Sequence, residues 1–194
     1  PTNYCNLSCS MCPRELNRPF GYMNANFFRE IIDESIMYGK RLIITLTKDG
    51  EPLLHPELPQ MIKYAKDKKA AYKINFYTNG ILLTETKSDE IIKSGLDTMH
   101  ISIDAFTKET YKKVKNSEKL ETVEGNVKRL VALKKKLQSK TPLVVVKIIQ
   151  TPDTQNEIKP FIHKWKGIAD FIEIGEYHTW DGTFNGSNLQ EQTG

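Results

Sequence analysis

The stretch Leu42-Ile43-Ile44-Thr45-Leu46-Thr47-Lys48-Asp49-Gly50-Glu51-Pro52 joins a short apolar run to a polar loop. Its first five residues predict a buried strand, because short apolar runs of this kind are typical of strands inside a sheet. A helix is predicted before it, over about residues 25–38, with Asn24 as its N-cap and Gly39 as its stop. A second helix follows, marked by Leu58, Met61, Ile62 and Ala65.

The same alternation of strand and helix continues along the chain. Further strands are predicted over residues 72–77, 99–103, 143–149 and 171–174, and further helices over about 84–93, 120–138 and 156–165. This order indicates right-handed βαβ units in a parallel α/β sheet, and the apolar strands indicate burial on both faces. A doubly wound sheet and a barrel-like sheet both fit the pattern. In either one, ligands bind at the carboxyl ends of the strands.

Polar residues gather where those carboxyl ends are expected, which predicts a site there. They are residues 47–56 after the first strand, Thr78, Asn79 and Gly80 after the second, Ser102 and Asp104 at the third, Gln150 at the fourth, and Glu173, Glu176, His178, Trp180 and Asp181 at the fifth.

The composition is that of an ordinary globular protein. The chain has 194 residues, 39% hydrophobic and 27% charged, with a formal net charge of +4. These values exclude intrinsic disorder, collagen and coiled coil. No apolar run approaches the roughly 18 residues of a membrane span, and no signal peptide is present, so no membrane partner is expected. The densest basic run, Lys134-Lys135-Lys136, ends a predicted helix, where we expect a solvated face rather than a nucleic-acid site.

The two ends of the chain suggest a piece of a longer protein. The sequence begins at Pro1 without a methionine and ends in a polar stretch. We expect a core domain over residues 1–182, and a polar tail or the start of a linker over residues 183–194.

The three cysteines, Cys5, Cys9 and Cys12, all lie within eight residues. An odd, tightly clustered set is a poor disulfide framework, and the spacing instead indicates a metal or cluster site. Three thiolates leave either a zinc ion or an iron–sulfur cluster one ligand short. Zinc completed by a distant histidine remains open, although no histidine has a zinc-finger spacing to the cysteines. The pattern favours iron–sulfur. The histidines are His55, His100, His163 and His178.

Taken together, these motifs resemble the radical S-adenosylmethionine (SAM) superfamily. The resemblance rests on Cys5-x3-Cys9-x2-Cys12, on the segment Gly50–Pro56 one strand later, and on the later segments Thr78–Gly80 and Ile101–Ala105 in the same order. The sequence of residues 1–9 is similar to that of the subgroup whose members usually carry a C-terminal SPASM domain. The resemblance implies a partial (β/α)6 TIM-like barrel, which here would lack its first strand.

The resemblance also implies residue roles. Cys5, Cys9 and Cys12 would hold three irons of a [4Fe-4S] cluster, with the fourth iron open to the amino and carboxylate groups of SAM. The family's glycine pair before the glutamate is here Asp49-Gly50, which is a departure from the pattern. Lys115 replaces an arginine that in relatives pairs with the SAM carboxylate, and Lys lacks the bidentate fork. The expected SAM-binding residues are Met11, near the adenine, and Gly50, Glu51, Pro52, Asn79, Ser102, Asp104 and Lys115.

The implied activity is that of a cytoplasmic oxidoreductase or maturase. A reductant such as flavodoxin or ferredoxin would supply the electron that cleaves SAM to a 5′-deoxyadenosyl radical, and the radical would abstract hydrogen from a peptide or small-molecule substrate. A second hypothesis is a non-catalytic iron–sulfur or zinc-binding scaffold of the same fold. The expected substrate contacts are Glu176, His178, Trp180 and Asp181.

Overall fold

The computed structural model describes residues 1–12, 19–38 and 42–177, which form one parallel sheet and the helices that connect its strands. The strands are β1 (Leu42–Thr45), β2 (Ala71–Thr78), β3 (Thr98–Ser102), β4 (Leu143–Gln150) and β5 (Phe171–Glu176). The helices are α1 (Ala25–Met37), α2 (Leu58–Asp67), α3 (Glu85–Ser94), α4 (Lys108–Lys115), α5 (Leu120–Lys136) and α6 (Ile158–Trp165), with short 3₁₀ turns over Pro52–Leu54 and Gln155–Glu157.

The strands stand side by side in chain order, β1-β2-β3-β4-β5, and every pair is parallel. Each crossover therefore moves one place in the same direction, which puts all the connecting helices on one face when the crossovers share the usual hand. A doubly wound sheet would reverse direction at a switch point. The observed order is that of a partial barrel and decides between the two alternatives left open by the sequence.

The hydrophobic core lies between the sheet and its helices. Alternate strand residues such as Ile74, Phe76 and Ile101 are fully buried there, against side chains such as Ile62 and Trp165 from the helices. The residues between them point to the opposite face, where Tyr77 and His100 are only partly buried. The expectation of apolar burial on both faces is therefore wrong. One face of the sheet is the packed core, and the other, the inner face, carries polar side chains such as His100 beside apolar ones such as Val145.

Helix ends follow local rules where the sequence predicted them. The Asn24 side chain accepts from the amides of Asn26 at 2.8 Å and Phe27 at 3.2 Å, which confirms the N-cap. Gly95 ends α3 in the left-handed conformation, with φ of 81°. Gly39 lies outside the described residues.

Two features of the helices differ from the sequence predictions. Helix α4 was not predicted, and its first turn is held by the Glu157 carboxylate, which accepts from the side chains of Thr107 and Thr110. Lys134, expected on a solvated face, is buried and paired with Asp170. Both features depend on residues from distant parts of the chain.

The cysteine-bearing segment precedes β1 without forming a strand in the described residues. Thr2 makes an isolated antiparallel bridge with Tyr22, and the sheet begins at β1. Within residues 1–12, 19–38 and 42–177, no helix is long and apolar enough to cross a membrane.

Candidate active site

The loop that carries the cysteines rests on the end of α4. The Ser10 amide donates to the Val114 carbonyl at 2.9 Å, and the Asn116 side chain donates to Ser8 Oγ at 3.0 Å. These two contacts hold the residues on either side of Cys9. Helix α4 is therefore the platform for the centre of the cysteine loop.

The same loop is tied to the segments that follow β1 and β2. The Glu51 amide donates to the Tyr4 carbonyl at 2.7 Å, and the Asn79 side chain donates to Asn6 Oδ1 at 2.8 Å. Both contacts lie beyond the carboxyl ends of their strands. The fold thus brings the cysteines to the edge of the sheet where the sequence predicts a ligand site.

All three cysteines line one cavity of about 390 Å³ at this edge. Burial raises the pKa of the Cys9 thiol, Lys115 opposes the rise, and Cys12 and Cys5 add to it. A bound cation would relieve the mutual repulsion of three thiolates. Among the described residues, no three His, Cys, Asp or Glu side chains form a ready site for a single metal ion. Three thiolates that line one cavity, each able to take a different iron, fit a [4Fe-4S] cluster.

Histidines offer no support for the zinc alternative in the described part of the chain. Both ring nitrogens of His55 are used, with Nε2 against the Met23 carbonyl at 2.9 Å and Nδ1 accepting from the Glu57 amide at 3.1 Å. Neither His100 nor His163 lines the cavity within the described residues. His178 lies outside them.

Glu51 is a buried carboxylate, 2% exposed, on the cavity wall. Its Oε1 accepts from Thr78 Oγ1 at 2.7 Å and from the Leu53 amide at 3.1 Å, and its Oε2 accepts from the Asn79 amide at 2.8 Å. Burial raises the pKa of Glu51, and these three donors oppose the rise. The carboxylate therefore joins the loops after β1 and β2, which sequence reasoning did not foresee. Of its roughly four acceptor positions, three are taken.

Gly50 lies where the cysteine segment crosses the loop after β1. Its φ is 86°, and a Cβ there would stand 2.6 Å from the carbonyl oxygens of both Thr2 and Tyr4. Only glycine fits this approach, because the blocking atoms are backbone rather than a movable side chain. Gly50 stays a predicted SAM-binding residue, and its close packing against residues 2–4 is a separate reason for glycine.

We expect Gly50→Ala to displace the cysteine segment. Iron and sulfide incorporation after reconstitution should fall sharply, and the free energy of unfolding should fall by about 1–3 kcal/mol, the usual cost of overpacking. Gly125→Ala in α5 is the matched control, since its Cβ would meet nothing within 4 Å. That variant should retain the cluster and gain roughly 0.5–1 kcal/mol from helix propensity. Full cluster loading in Gly50→Ala would contradict the packing argument.

Asp104 and Lys115 form a buried ion pair on the cavity wall, with Nζ and Oδ2 2.5 Å apart. The other oxygen of Asp104 accepts from the Ile149 amide at 2.9 Å, so the carboxylate is held on both sides. Burial alone would lower the pKa of Lys115, but Asp104 and Cys9 outweigh it and raise that pKa. Lys115 is therefore a cation beside the cysteines, and within the described part of the chain Asp104 takes one of its three ammonium hydrogens.

The remaining predicted residues divide into four groups. Met11, Ser102 and Glu176 line the cavity, and their contacts with SAM or substrate stay predictions. Pro52 does not line it and is instead buried at the start of the 3₁₀ turn, where its fixed φ suits the first position. The Asn79 side chain lines the cavity but is engaged with Asn6 and with the Ile81 amide. Trp180 and Asp181, like His178, lie outside the described residues.

Sequence reasoning missed a polar cluster on the inner face of the sheet. Glu173 joins His100 at 2.9 Å and Lys147 at 2.7 Å, and the His100 ring stacks on Tyr77 with centroids 4.4 Å apart. Burial lowers the pKa of His100, and Glu173 opposes that effect. Tyr77 and Lys147 also line the cavity. The alternating residues Lys73, Asn75 and Tyr77 on β2 indicate a face with polar side chains. The prediction that the strands are apolar on both faces did not take them into account.

Comparison with known proteins identifies the family of this chain. The model of the Radical SAM superfamily matches residues 1–158. A probable GTP 3′,8-cyclase from Methanococcus maripaludis strain C5 is 30% identical over 178 residues, which cover 91% of this chain and 56% of that protein. A tungsten-containing aldehyde ferredoxin oxidoreductase cofactor-modifying protein from Pyrococcus furiosus is 26% identical over 158 residues, covering 81% of this chain and 44% of that protein.

Among solved structures, the fold is similar to Streptococcus suis SuiB bound to the precursor peptide SuiA. The TM-score is 0.70 at 17% identity, covering 95% of this chain and 39% of SuiB. The chain thus spans a little over half the length of the curated relative from M. maripaludis and a smaller share of SuiB.

The chain belongs to the radical SAM superfamily, whose enzymes use a [4Fe-4S] cluster and S-adenosylmethionine. The resemblance drawn from the cysteine triplet and the segment Gly50–Pro56 is confirmed, as are the partial barrel and the two cofactors.

Proposed function

We propose that this chain forms the core of an enzyme that cleaves SAM reductively and abstracts hydrogen from a peptide or small-molecule substrate. One observation carries the proposal. Cys5, Cys9 and Cys12 share a single cavity with the buried Asp104–Lys115 pair and with Glu51. Burying three ionisable side chains is costly unless they are paired or used, and here they surround the place where the cofactors are expected.

In this proposal Cys5, Cys9 and Cys12 hold three irons of the cluster. Bound together, the reduced cluster and SAM supply a 5′-deoxyadenosyl radical, which is the hydrogen-abstracting group. The α4 platform and the Glu51–Tyr4 contact keep the cysteine loop in one position. The loop therefore needs little rearrangement to present its thiolates.

Two charged groups are suited to the polar end of SAM. Within the described part of the chain, Glu51 has one acceptor position left, which suits an ammonium group, and Lys115 has two donor hydrogens left, which suit a carboxylate. Both side chains are held in place by partners, Glu51 by Asn79 and Thr78, and Lys115 by Asp104. Their orientation before binding reduces the entropy lost when SAM binds.

Substrate is expected over the inner face of the sheet, where Tyr77 and Lys147 share the cavity with the cysteines. The relatives are named for different substrates, a nucleotide for the cyclase and a precursor peptide for SuiB. A peptide or small molecule therefore remains the proposed class. Glu176 is the proposed contact within the described residues, with His178, Trp180 and Asp181 proposed on sequence grounds. A flavodoxin or ferredoxin is the proposed reductant in a cytoplasmic setting.

In this structure Glu51 does not by itself distinguish an enzyme from the scaffold alternative. Glu51 as an acceptor for the SAM ammonium would by itself favour an enzyme, because a scaffold needs no such acceptor. Its bonds to Leu53, Thr78 and Asn79 give it a structural role in either case. The cavity beside the cysteines is the feature that favours an enzyme.

The deciding experiment is anaerobic reconstitution with iron and sulfide, followed by dithionite and SAM, with 5′-deoxyadenosine as the readout. The longest natural form of the protein is assayed with this chain in parallel. Product formation supports the proposal. A well-folded protein that takes up the cluster but forms no product favours the scaffold, and zinc uptake without iron overturns the cluster assignment.

A further inference from the structure

Glu157 is far from the cysteines in the sequence, but it holds the helix on which their loop rests. It is 9% exposed and lies after β4, at the end of the 3₁₀ turn Gln155–Glu157. Its Oε2 accepts from the Phe106 amide at 2.6 Å, and its Oε1 accepts from the hydroxyl of Thr107 and, at 2.7 Å, from that of Thr110. One buried carboxylate thus binds both the loop after β3 and the first turn of α4.

The charge of the Glu157 carboxylate strengthens this contact. Burial raises the pKa of Glu157, but the donors of Phe106, Thr107 and Thr110 outweigh burial and lower that pKa below its ordinary value. A charged acceptor makes stronger hydrogen bonds than a neutral one, and negative charge near a helix N-terminus is stabilising. Helix α4 has only eight residues, and a helix this short depends on tertiary contacts for its stability. The order of α4 therefore depends on Glu157.

The other end of α4 carries groups of the site. The Val114 carbonyl accepts from the Ser10 amide at 2.9 Å, and Lys115 lies on the cavity wall, paired with Asp104 at 2.5 Å. Asp104 itself lies two residues before the loop that Glu157 binds. The segment between the two members of the ion pair is therefore held at its start by Glu157 and at its end by the pair. Because α4 is about two turns long, a displacement of its first turn is transmitted to its last.

We propose that Glu157 is a positioning residue that fixes, through α4, both the seat of the cysteine loop at Ser10 and the place of the Lys115 ammonium. The inference rests on the proposed function, which gives these two groups their roles, and adds a residue that acts from outside the cavity. Glu157 is not among the described residues that line the cavity. Its substitution should therefore weaken SAM binding without removing a group that contacts SAM or the cluster.

Amide hydrogen exchange of the cluster-free protein, measured by NMR, tests the positioning directly. Glu157→Gln keeps the size of the side chain and removes its charge, so we expect the Ser10 amide to exchange about 10-fold faster or more. Amides inside β3 should keep their protection. Thr110→Val, which removes one donor to Glu157, is a milder second variant and should change Ser10 in the same direction. Unchanged Ser10 exchange in both variants, or an equal acceleration in β3, would overturn the inference.

Asp153→Asn is the matched control for Glu157→Gln. Asp153 lies in the same connection after β4 and also contacts α4, through an exposed ion pair with Lys113 at 2.6 Å. The control substitution likewise turns a carboxylate into an amide. Exposed pairs contribute little to stability, so this variant should leave the exchange of the Ser10 amide unchanged. Acceleration equal to that in Glu157→Gln would contradict a specific role for Glu157.

The second measurement is the KM for SAM in 5′-deoxyadenosine formation by the reconstituted protein, at a temperature where every variant is folded. We expect Glu157→Gln to raise this KM about 5-fold or more with a smaller change in kcat, because a binding group is displaced and none is lost. Asp153→Asn should match the wild type. Loss of iron from Glu157→Gln alone would also support the inference, whereas an unchanged KM with full iron would overturn it. Absence of product in the wild type would instead refute the proposed function, and hydrogen exchange would still decide the role of Glu157.

Discussion

Replacing Cys9 with alanine should reduce 5′-deoxyadenosine formation to the background of the assay while leaving the fold intact. Cys9 is the central ligand of the proposed three-thiolate set, and its loss leaves only Cys5 and Cys12. The side chain is outside the hydrophobic core, and the bond from the Ser10 amide to Val114 uses backbone atoms that the substitution retains. The free energy of unfolding of the cluster-free variant should therefore lie within about 0.5 kcal/mol of that of the wild type.

Iron and sulfide content, the EPR signal of the reduced cluster and product yield are the measurements for Cys9→Ala. Ser10→Ala is the matched control, because it changes the next residue of the same loop and retains all three thiols. That control should keep the cluster and the product. A full cluster spectrum in Cys9→Ala would refute the assignment of Cys9 as a ligand.

Glu51→Ala should cause the largest loss of stability among the site variants. The substitution leaves the donors of Leu53, Thr78 and Asn79 without their acceptor. An unsatisfied buried donor costs about 1–3 kcal/mol, so the total loss should be on the order of 3 kcal/mol or more. Urea denaturation of the cluster-free protein measures it.

SAM affinity should also fall in Glu51→Ala, by about 10-fold or more, if the remaining acceptor position of the carboxylate binds the SAM ammonium. Equilibrium dialysis of the reconstituted protein, at a temperature where the variant is folded, separates this effect from the loss of stability. Glu90→Ala, at an exposed position on α3, should change neither quantity. Unchanged stability in Glu51→Ala would contradict the hydrogen-bonding role, and unchanged SAM affinity would contradict the binding role.

Much of the fold was predictable from local patterns. The five strands, the Asn24 cap and the Gly95 stop depend on neighbouring residues, and the structure confirms them. Helix α4 was not predictable in the same way. Only Tyr111 and Val114 are apolar in its eight residues, and its first turn is held by Glu157, about 50 residues away. A helix stabilised mainly by tertiary contacts has a weak signal in its own sequence.

The site was predictable only in part, because some of its features depend on neighbouring residues and others on contacts between distant parts of the chain. The cysteine triplet and Gly50-Glu51 stand out because their spacing is local. The contact between Glu51 and Asn79 was not predictable, because it joins residues 28 positions apart. Pro52, also assigned to the site, is not among the described residues that line the cavity. Adjacent residues of a motif can face opposite ways once the chain is folded.

By itself, the sequence determined the class of fold and the identity of the cysteine ligands proposed for the cluster, since periodicity and spacing are properties of consecutive residues. The tertiary structure alone decided that the sheet winds in one direction, that its second face carries polar side chains such as His100, and that Lys115 forms a buried ion pair with Asp104. It also decided that the cysteine loop rests on α4, through a contact between residues 104 positions apart. These properties arise from burial and from partners far apart in the chain, which only the folded molecule brings together.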